Sequence, residues 1–284
     1  MPSQGSVRRD HRAPLRLGRI GFVNVLPVYM HMAQDSYLFR ETLGTPSQLN
    51  ERLARGLLDV SVVSSIEYAF RPEHYLILPD LSISCLGRVR SVLLFSELPM
   101  DQWGDGPIQC PMESQTSVAL LELLLDGLWG TKSALVPERG WQRPVAFLRI
   151  GDRALREMAS GKWRYWWDLG QAWFEWTGLP FVFALWLVRR EVVERDPQRV
   201  AQLHRSLIAS RDQGLADLQG CARKAKAILG EDLGLDMEEY FKGLRFNLGP
   251  DETKGLERFY LKLAEKGRIT SRPPLRFWEA PPQE

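Results

Sequence analysis

The apolar positions in the first third of the chain form two strand-like runs with a helical stripe between them. The first run ends at the motif GFVNVLPVY, residues 21–29, which places a polar side chain, Asn24, at the carboxyl end of the predicted strand. The sequence TPSQ at residues 45–48 matches a capping box with proline in the first helical position. The run LLDVSVVSS, residues 57–65, predicts a second strand that ends in two serines. Together these segments predict a βαβ unit with parallel strands and a right-handed crossover.

The later apolar runs alternate between predicted strands and helices and end in a helical C-terminal region. The run at residues 89–95 is followed by a turn-rich stretch, residues 100–107, which we interpret as a crossing into a second lobe. The pattern then predicts strands at residues 107–110 and 143–152 and helices at residues 113–130 and 154–161. The apolar run FVFALWLVRR, residues 181–190, predicts a strand that leads back to the first lobe.

A chain that leaves one lobe and later re-enters it has the architecture of the type II periplasmic-binding-protein fold. We therefore expect an α/β protein with two lobes, mixed sheets, flanking helices and a ligand cleft between the lobes. The expected first lobe comprises residues 16–98 and 187–284, and the second comprises residues 99–186. Residues 1–15 are expected to form a disordered leader.

Composition and charge narrow the possible functions. The chain has 284 residues and a formal net charge of +2, with no sign of a nucleic-acid-binding surface. The N-terminal segment lacks the apolar core of a signal peptide, and no run of about 18 apolar residues predicts a membrane span. Cys85, Cys110 and Cys221 match no metal-ligand spacing, which favours free thiols in a reducing compartment. We therefore expect a cytoplasmic protein without nucleic-acid or membrane partners and without a metal site.

The motifs of several large enzyme classes are absent from the sequence, namely the P-loop, GxGxxG, HExxH and the nucleophile elbow. The four histidines are His11 in the leader and His31, His74 and His204 in predicted helices or loops. None follows a predicted strand, so a histidine general base is not expected.

Uncharged hydrogen-bonding groups stand at the predicted strand ends and helix starts instead. The candidates are Asn24, Ser64, Ser65, Ser91, Ser114, Thr116 and Ser117. Hydroxyls and free backbone N–H groups at a helix N-terminus favour an anion, so the expected ligand is a small carboxylic acid. Two alternatives stay open: Asn24 as a turn residue before Pro27, and helix capping by one hydroxyl at residues 114–117.

Asp152, in the sequence RIGD, stands at another predicted strand end. It orients a ligand hydroxyl, acts as a base, or caps the helix that begins near Ala154. The residues alone leave all three roles open.

Six motifs in order along the chain resemble those of the chorismate dehydratase family of the futalosine route to menaquinone. They are GFVNVLPVY, GTPSQLNERLARGLLDVSVVSSIEY, VRSVLLFS, SQTSVALL, IGDRAL and DLGQAWFEWTGLPFVFALW. The resemblance spans residues 19–186 and extends more loosely into the helical C-terminus. It implies the two-lobed binding-protein fold and the dehydration of chorismate to 3-[(1-carboxyvinyl)oxy]benzoate, without a metal or organic cofactor.

The resemblance also implies roles for individual residues. Asn24 and Ser91 become the candidate catalytic residues. The carboxylates of chorismate would be held by Ser64, Ser65, Thr116 and Ser117, and Ser114 and Asp152 complete the candidate substrate-binding set. Because no histidine is expected at the cleft, we hypothesise that the base is the substrate's own enolpyruvyl carboxylate, positioned by Asn24.

Three other functions stay open at this point. A related enzyme of the same pathway cleaves cyclic dehypoxanthine futalosine with a histidine base, which these strand ends lack. A transporter-linked solute-binding protein requires export, which this N-terminus does not favour. A cytosolic sensor would bind the same ligand in the same cleft without chemistry.

Overall fold

The computed structural model describes residues 13–138, 143–230 and 233–282. Most of the expected leader, residues 1–12, lies outside the described residues, and Leu15 already begins the first strand. The described residues form two five-stranded sheets with helices against them, which confirms the expected two-lobed α/β fold with mixed sheets.

The first sheet combines strands from both ends of the chain. Its strands are β1 (Leu15–Ile20), β2 (Phe39–Gly44), β3 (Val60–Ser64), β4 (Tyr75–Cys85) and β10 (Phe181–Arg189), in the order β2-β1-β3-β10-β4. Strand β1 is parallel to both β2 and β3, whereas β10 is antiparallel to β3 and β4. Every residue of β3 is buried, as expected for a strand that is covered on both faces.

The second sheet is built from the middle of the chain. Its strands are β5 (Val92–Ser96), β6 (Ile108–Cys110), β7 (Leu135–Pro137), β8 (Ala146–Ile150) and β9 (Tyr165–Asp168), in the order β7-β6-β8-β5-β9. Strand β5 is antiparallel to β8 and β9, while β6 is parallel to β7 and β8.

Helices cover these sheets and form the C-terminal region. They are α1 (Leu26–Tyr29), α2 (Pro46–Ala54), α3 (Ile66–Phe70), α4 (Gln115–Gly127), α5 (Gly151–Ala159), α6 (Leu169–Thr177), α7 (Arg190–Arg195), α8 (Pro197–Ala216), α9 (Leu218–Leu229), α10 (Met237–Lys242) and α11 (Pro250–Glu265). Two short 3-10 helices lie at Val23–Val25 and Met100–Gln102. No helix in the described ranges has the length and apolarity needed to cross a membrane.

The predicted βαβ unit is present as β1, α2 and β3. The side chain and backbone of Thr45 and Gln48 form the expected capping box at the start of α2. Gly18 allows β1 and β3 to approach closely, because a Cβ there would lie 2.2 Å from the Ser61 Oγ. The sequence pattern missed β2, which pairs with β1 at the sheet edge, and it missed the long strand β4.

The expected lobes divide the chain after residues 98 and 186, but the strands of the two sheets do not follow this division. Strand β5 belongs to the second sheet and the whole of β10 belongs to the first. We propose that the chain crosses between the lobes in the segments before β5 and before β10, because these segments connect strands of different sheets.

Asp168 at the end of β9 anchors the first of these crossings. Its carboxylate accepts hydrogen bonds from two N–H groups in the first turn of α6, and from the N–H groups of Val89 at 3.1 Å and Arg90 at 2.7 Å. Arg90 has a φ of 61°, a left-handed conformation that costs energy for a residue with a Cβ. The carboxylate therefore stabilises the turn that directly precedes Ser91.

We predict that Asp168→Ala lowers the free energy of unfolding by about 3 kcal/mol, because four backbone N–H groups lose their acceptor. Urea unfolding followed by tryptophan fluorescence measures this loss. Asp236→Ala is the control, since it removes an exposed cap that accepts one bond, from the Glu239 N–H at 3.0 Å, and should cost about 1 kcal/mol. Equal losses in the two variants would contradict a special role for Asp168.

Candidate functional site

A cavity lies between the two sheets, at the carboxyl end of β1 and beside the starts of α4 and α5. Five of the eight predicted site residues line it, namely Asn24, Ser64, Ser91, Ser114 and Ser117. Its apolar wall includes the rings of Phe22 and Phe183. Among the described residues, no lysine, arginine or histidine lines this cavity. The site therefore offers neutral hydrogen-bonding groups inside an apolar enclosure, as expected for a small-molecule site.

Asn24 lies on the 3-10 helix that follows β1. Its Oδ1 atom is buried and has no hydrogen-bond partner among the described residues. The turn interpretation needs a local bond from this side chain, and none is present within that part of the chain. A buried amide oxygen without a partner costs free energy, and a hydrogen bond from a ligand in the cavity would offset this cost.

Asp152 contacts the segment that carries Asn24. Its Oδ1 accepts a hydrogen bond from the Val23 N–H at 3.0 Å, although it lies in the first turn of α5 on the other side of the cavity. Capping of α5, one of the three roles left open for Asp152, is not observed, because the N-cap is Ile150 and no side chain caps this helix. Burial raises the pKa of Asp152, partly offset by the bond from Val23 and by the charge of Arg156.

Ser64 ends β3 and faces the cavity from the first lobe. Asn50, on α2, fixes it from behind: the Ser64 N–H donates to Asn50 Oδ1 at 3.1 Å and Asn50 Nδ2 donates to Ser64 Oγ at 3.3 Å. Asn50 was not predicted as a site residue, although it is a polar residue beside the apolar stripe of α2.

Thr116 links the two lobes beneath the cavity. Its hydroxyl accepts from the Ile66 N–H at 3.0 Å and lies 3.0 Å from Ser64 Oγ and 3.4 Å from Ser65 Oγ. Thr116 and Ser65 are both completely buried, and neither lines the cavity. The Ser65 hydroxyl donates to the Val182 carbonyl at 2.8 Å, so it points into the protein. These two predicted residues therefore hold the site together from behind.

Ser114 and Ser117 form the cavity wall at the start of α4. Ser114 is the N-cap and accepts from the Ser117 N–H at 3.3 Å, as the capping interpretation predicts. The two hydroxyl oxygens also lie 2.9 Å apart, and both residues face the cavity. Capping and ligand binding are thus compatible here, and the positive end of the helix dipole is directed at the site.

Ser91 faces the cavity from the second lobe and has an unexpected partner. The hydroxyl of Tyr240, on α10, donates to Ser91 Oγ at 3.0 Å. Burial raises the pKa of Tyr240 well above its usual value. No local sequence pattern indicates this contact, because the two residues are 149 positions apart.

Gly151 allows α5 to approach the cavity closely. It has a φ of 55°, and a Cβ there would lie 2.8 Å from the ring of Phe22. A larger residue would therefore clash with the aromatic wall and displace the start of α5, which carries Asp152.

The three described histidines have partners away from the cavity. His31 lies 3.6 Å from an oxygen of Asp217, His74 lies 3.5 Å from Glu73, and the ring of His204 contacts the Pro79 carbonyl at 2.9 Å. None of these three histidines lines the cavity, and His11 lies outside the described residues.

The chain is similar in sequence to proteins of menaquinone biosynthesis. A protein-family model described as menaquinone biosynthesis matches residues 15–265. A chorismate dehydratase of Thermus thermophilus is 32% identical over 265 residues, which is 87% of this chain and 94% of that protein. A chorismate dehydratase of Campylobacter jejuni is 31% identical over 173 residues, which is 59% of this chain and 64% of that protein.

The solved structures support the fold. The periplasmic aliphatic sulphonate binding protein SsuA from Escherichia coli has a TM-score of 0.63 and 12% sequence identity, covering 96% of this chain and 94% of that one. At this identity the likeness concerns the fold alone, and it confirms the periplasmic-binding-protein type. Given the match over residues 15–265 and the identity to the Thermus relative, the chain belongs to the menaquinone biosynthesis family.

Proposed function

We propose that this protein is a chorismate dehydratase, a hydro-lyase that converts chorismate to 3-[(1-carboxyvinyl)oxy]benzoate. The family and the two relatives named above support this activity. The observation in the structure that carries the proposal is the buried, unpartnered amide oxygen of Asn24 in a cavity lined by serine hydroxyls. Such a site matches a small ligand that has carboxylates and a hydroxyl group.

The proposed reaction removes a ring proton beside the enolpyruvyl ether and the neighbouring hydroxyl as water. The product is aromatic, so the substrate itself supplies much of the driving force. The protein must hold a reactive geometry, exclude water and stabilise developing charge. The rings of Phe22 and Phe183 suit the exclusion of water, and Asn24 and Ser91 suit contacts with the reacting groups.

The proton acceptor is proposed to be the enolpyruvyl carboxylate of the substrate. The carboxylate of Asp152 already accepts the Val23 N–H beside Asn24, and it does not line the cavity. The Asn24 amide can donate through its nitrogen to the substrate carboxylate and accept through Oδ1 from a substrate hydroxyl. One side chain would thus fix the base and the departing group relative to each other.

The carboxylates of chorismate are proposed to contact Ser64, Ser114 and Ser117. The free N–H groups and dipole of α4 add a favourable potential at the same wall. We assign Ser65 and Thr116 to the support of these contacts, because their hydroxyls bond to protein groups beneath the cavity.

A cytoplasmic location is part of the proposal, and it is supported by cysteine chemistry. Cys85, Cys110 and Cys221 are all free and buried. Free thiols are typical of reducing compartments.

Incubation of the purified protein with chorismate tests the proposed activity. We expect mass spectrometry to show a product that is lighter than chorismate by one water. Tight binding of chorismate without loss of water would instead favour a sensor.

We predict that Asn24→Ala lowers kcat/KM for chorismate by about 100-fold, since a contact aimed at the reacting groups is lost. Steady-state assay of dehydration measures this effect. Asn247→Ala is the matched control, because Asn247 is exposed and its amide contacts Glu252 outside the cavity. Unchanged turnover in Asn24→Ala would exclude the proposed mechanism.

The raised pKa of Asp152 predicts that kcat/KM falls at acidic pH, which gives the pH profile an acid limb. This pKa is raised above the ordinary value of 3.8, and the ionised form is the better acceptor for the Val23 N–H. The contact that holds the Asn24 segment therefore weakens as the pH falls through this raised pKa. Folding stability changes in the opposite direction: a carboxyl group with a raised pKa contributes stability at low pH that is lost as the pH rises.

We predict that Asp152→Asn removes this acid limb and keeps most activity at neutral pH, because the amide oxygen still accepts from Val23. A profile of kcat/KM against pH measures both effects. Asp251→Asn, which changes an exposed carboxylate in the first turn of α11, should leave the limb in place. Complete loss of neutral activity in Asp152→Asn would instead identify Asp152 as the base.

A further inference from the structure

Tyr240 reaches the candidate site from a part of the chain that the site otherwise does not use. It lies on α10, in the C-terminal region, whereas Ser91 directly precedes β5. The phenol is buried, with the ring tilted against Phe241 at a centroid distance of 5.3 Å. Its hydroxyl donates to Ser91 Oγ at 3.0 Å. Tyr240 does not line the cavity, so it reaches the substrate site only through Ser91.

The contact with Tyr240 leaves the hydrogen of the Ser91 hydroxyl available to a ligand. A serine hydroxyl has one hydrogen to donate and can accept two hydrogen bonds. Tyr240 uses one acceptor position, and the Ser91 hydrogen is directed to the Val89 carbonyl at a long 3.4 Å. A hydrogen bond of this length is weak, so a group in the cavity can take the Ser91 hydrogen at little cost.

Tyr240 serves as a donor and not as an acid. Burial raises its pKa strongly, and the nearby carboxylates of Asp152 and Asp168 raise it further. The bond to Ser91 lowers it by less than burial raises it. The phenol therefore keeps its proton at neutral pH, and its O–H donates to Ser91.

We propose that Tyr240 is a positioning residue for the dehydration. Its hydroxyl donates to Ser91 Oγ, so the Ser91 hydrogen is left to bond to the departing hydroxyl of the substrate. This inference rests on the proposed function. It deepens that function by adding a group that acts through Ser91. Ser91 donates a hydrogen bond to the oxygen as the C–O bond breaks, and Tyr240 strengthens that donation by polarising the Ser91 hydroxyl.

The first turn of the short helix α10 has two contacts that help to fix the position of Tyr240. Asp236 caps it by accepting the Glu239 N–H at 3.0 Å, and Glu239 in turn contacts Arg90 at 3.2 Å. Arg90 belongs to the turn that Asp168 fixes directly before Ser91. The donor and the acceptor of the bond are therefore tied to each other by a second contact between the same two segments.

A double-mutant cycle tests the inference. We expect Tyr240→Phe to lower kcat for chorismate about 10-fold with KM changed less than about 2-fold, because the lost interaction acts on the transition state. We expect Ser91→Ala to lower kcat about 100-fold, and the double variant to match Ser91→Ala within about 2-fold. A purely structural tyrosine would give losses that multiply, so that the double variant falls about 10-fold below Ser91→Ala.

Tyr68→Phe is the matched control. Tyr68 is also completely buried, and its hydroxyl donates to the Pro274 carbonyl at 2.8 Å, outside the cavity. It should lose stability with kcat unchanged. Thermal unfolding of every variant separates a loss of folded protein from a loss of rate.

Each outcome decides the question. Unchanged kcat in Tyr240→Phe, a raised KM with normal kcat, or multiplied losses in the double variant overturn the role of Tyr240 and leave the proposed function intact. Failure of the wild-type protein to dehydrate chorismate overturns the proposed function and this inference with it. Should Tyr240→Phe not fold, Glu239→Ala carries the test, because it removes only the exposed contact with Arg90 that ties α10 to the turn before Ser91. A lower kcat with unchanged KM supports the role of Tyr240, and an unchanged kcat overturns it.

Discussion

The candidate site depends on one buried interlobe contact, the hydroxyl of Thr116 against the end of β3. Thr116 lies in the first turn of α4, yet it accepts the N–H of Ile66 and bonds to Ser64. Without it, the backbone N–H group that follows β3 would be buried with no acceptor, at a cost of about 1–3 kcal/mol. This contact fixes the start of α4 against the strand end, so the hydroxyls at both places face the same cavity.

The same requirement for pairing separates the hydroxyls that support the site from those that face it. Ser65 and Thr116 use their hydroxyls on buried protein partners. Ser64 keeps a donor position when Thr116 and Asn50 both donate to it, which leaves its hydrogen for a ligand. A hydroxyl that a buried backbone group needs as a partner supports the site, and one that no such group needs can contact a ligand. Residue type alone does not distinguish the two.

The sequence was sufficient for the features that depend on nearby residues. The capping box at Thr45, the cap at Ser114 and the pairing of β1 with β3 follow from spacing and periodicity, and all three are present. The edge strand β2 was missed because its burial pattern is mixed and gives no clean alternation. The partners of Asp152 and Ser91 were missed for another reason: they lie 129 and 149 positions away, and only the packing of the two lobes brings them together.

The proposed mechanism requires a cavity lined by neutral side chains to promote an elimination, and the contacts across the cavity support this. Val23 meets Asp152 on one side, and Ser47 bonds to the Met112 and Glu113 carbonyls on another, so the two lobes are joined around the cavity. An enclosed apolar space strengthens each neutral hydrogen bond inside it and keeps water from solvating the substrate carboxylates. A carboxylate that has lost its water becomes a stronger base towards a proton held nearby. In the proposed mechanism, the exclusion of water supplies the basicity that a histidine supplies in other enzymes, and Asn24 and Ser91 direct it.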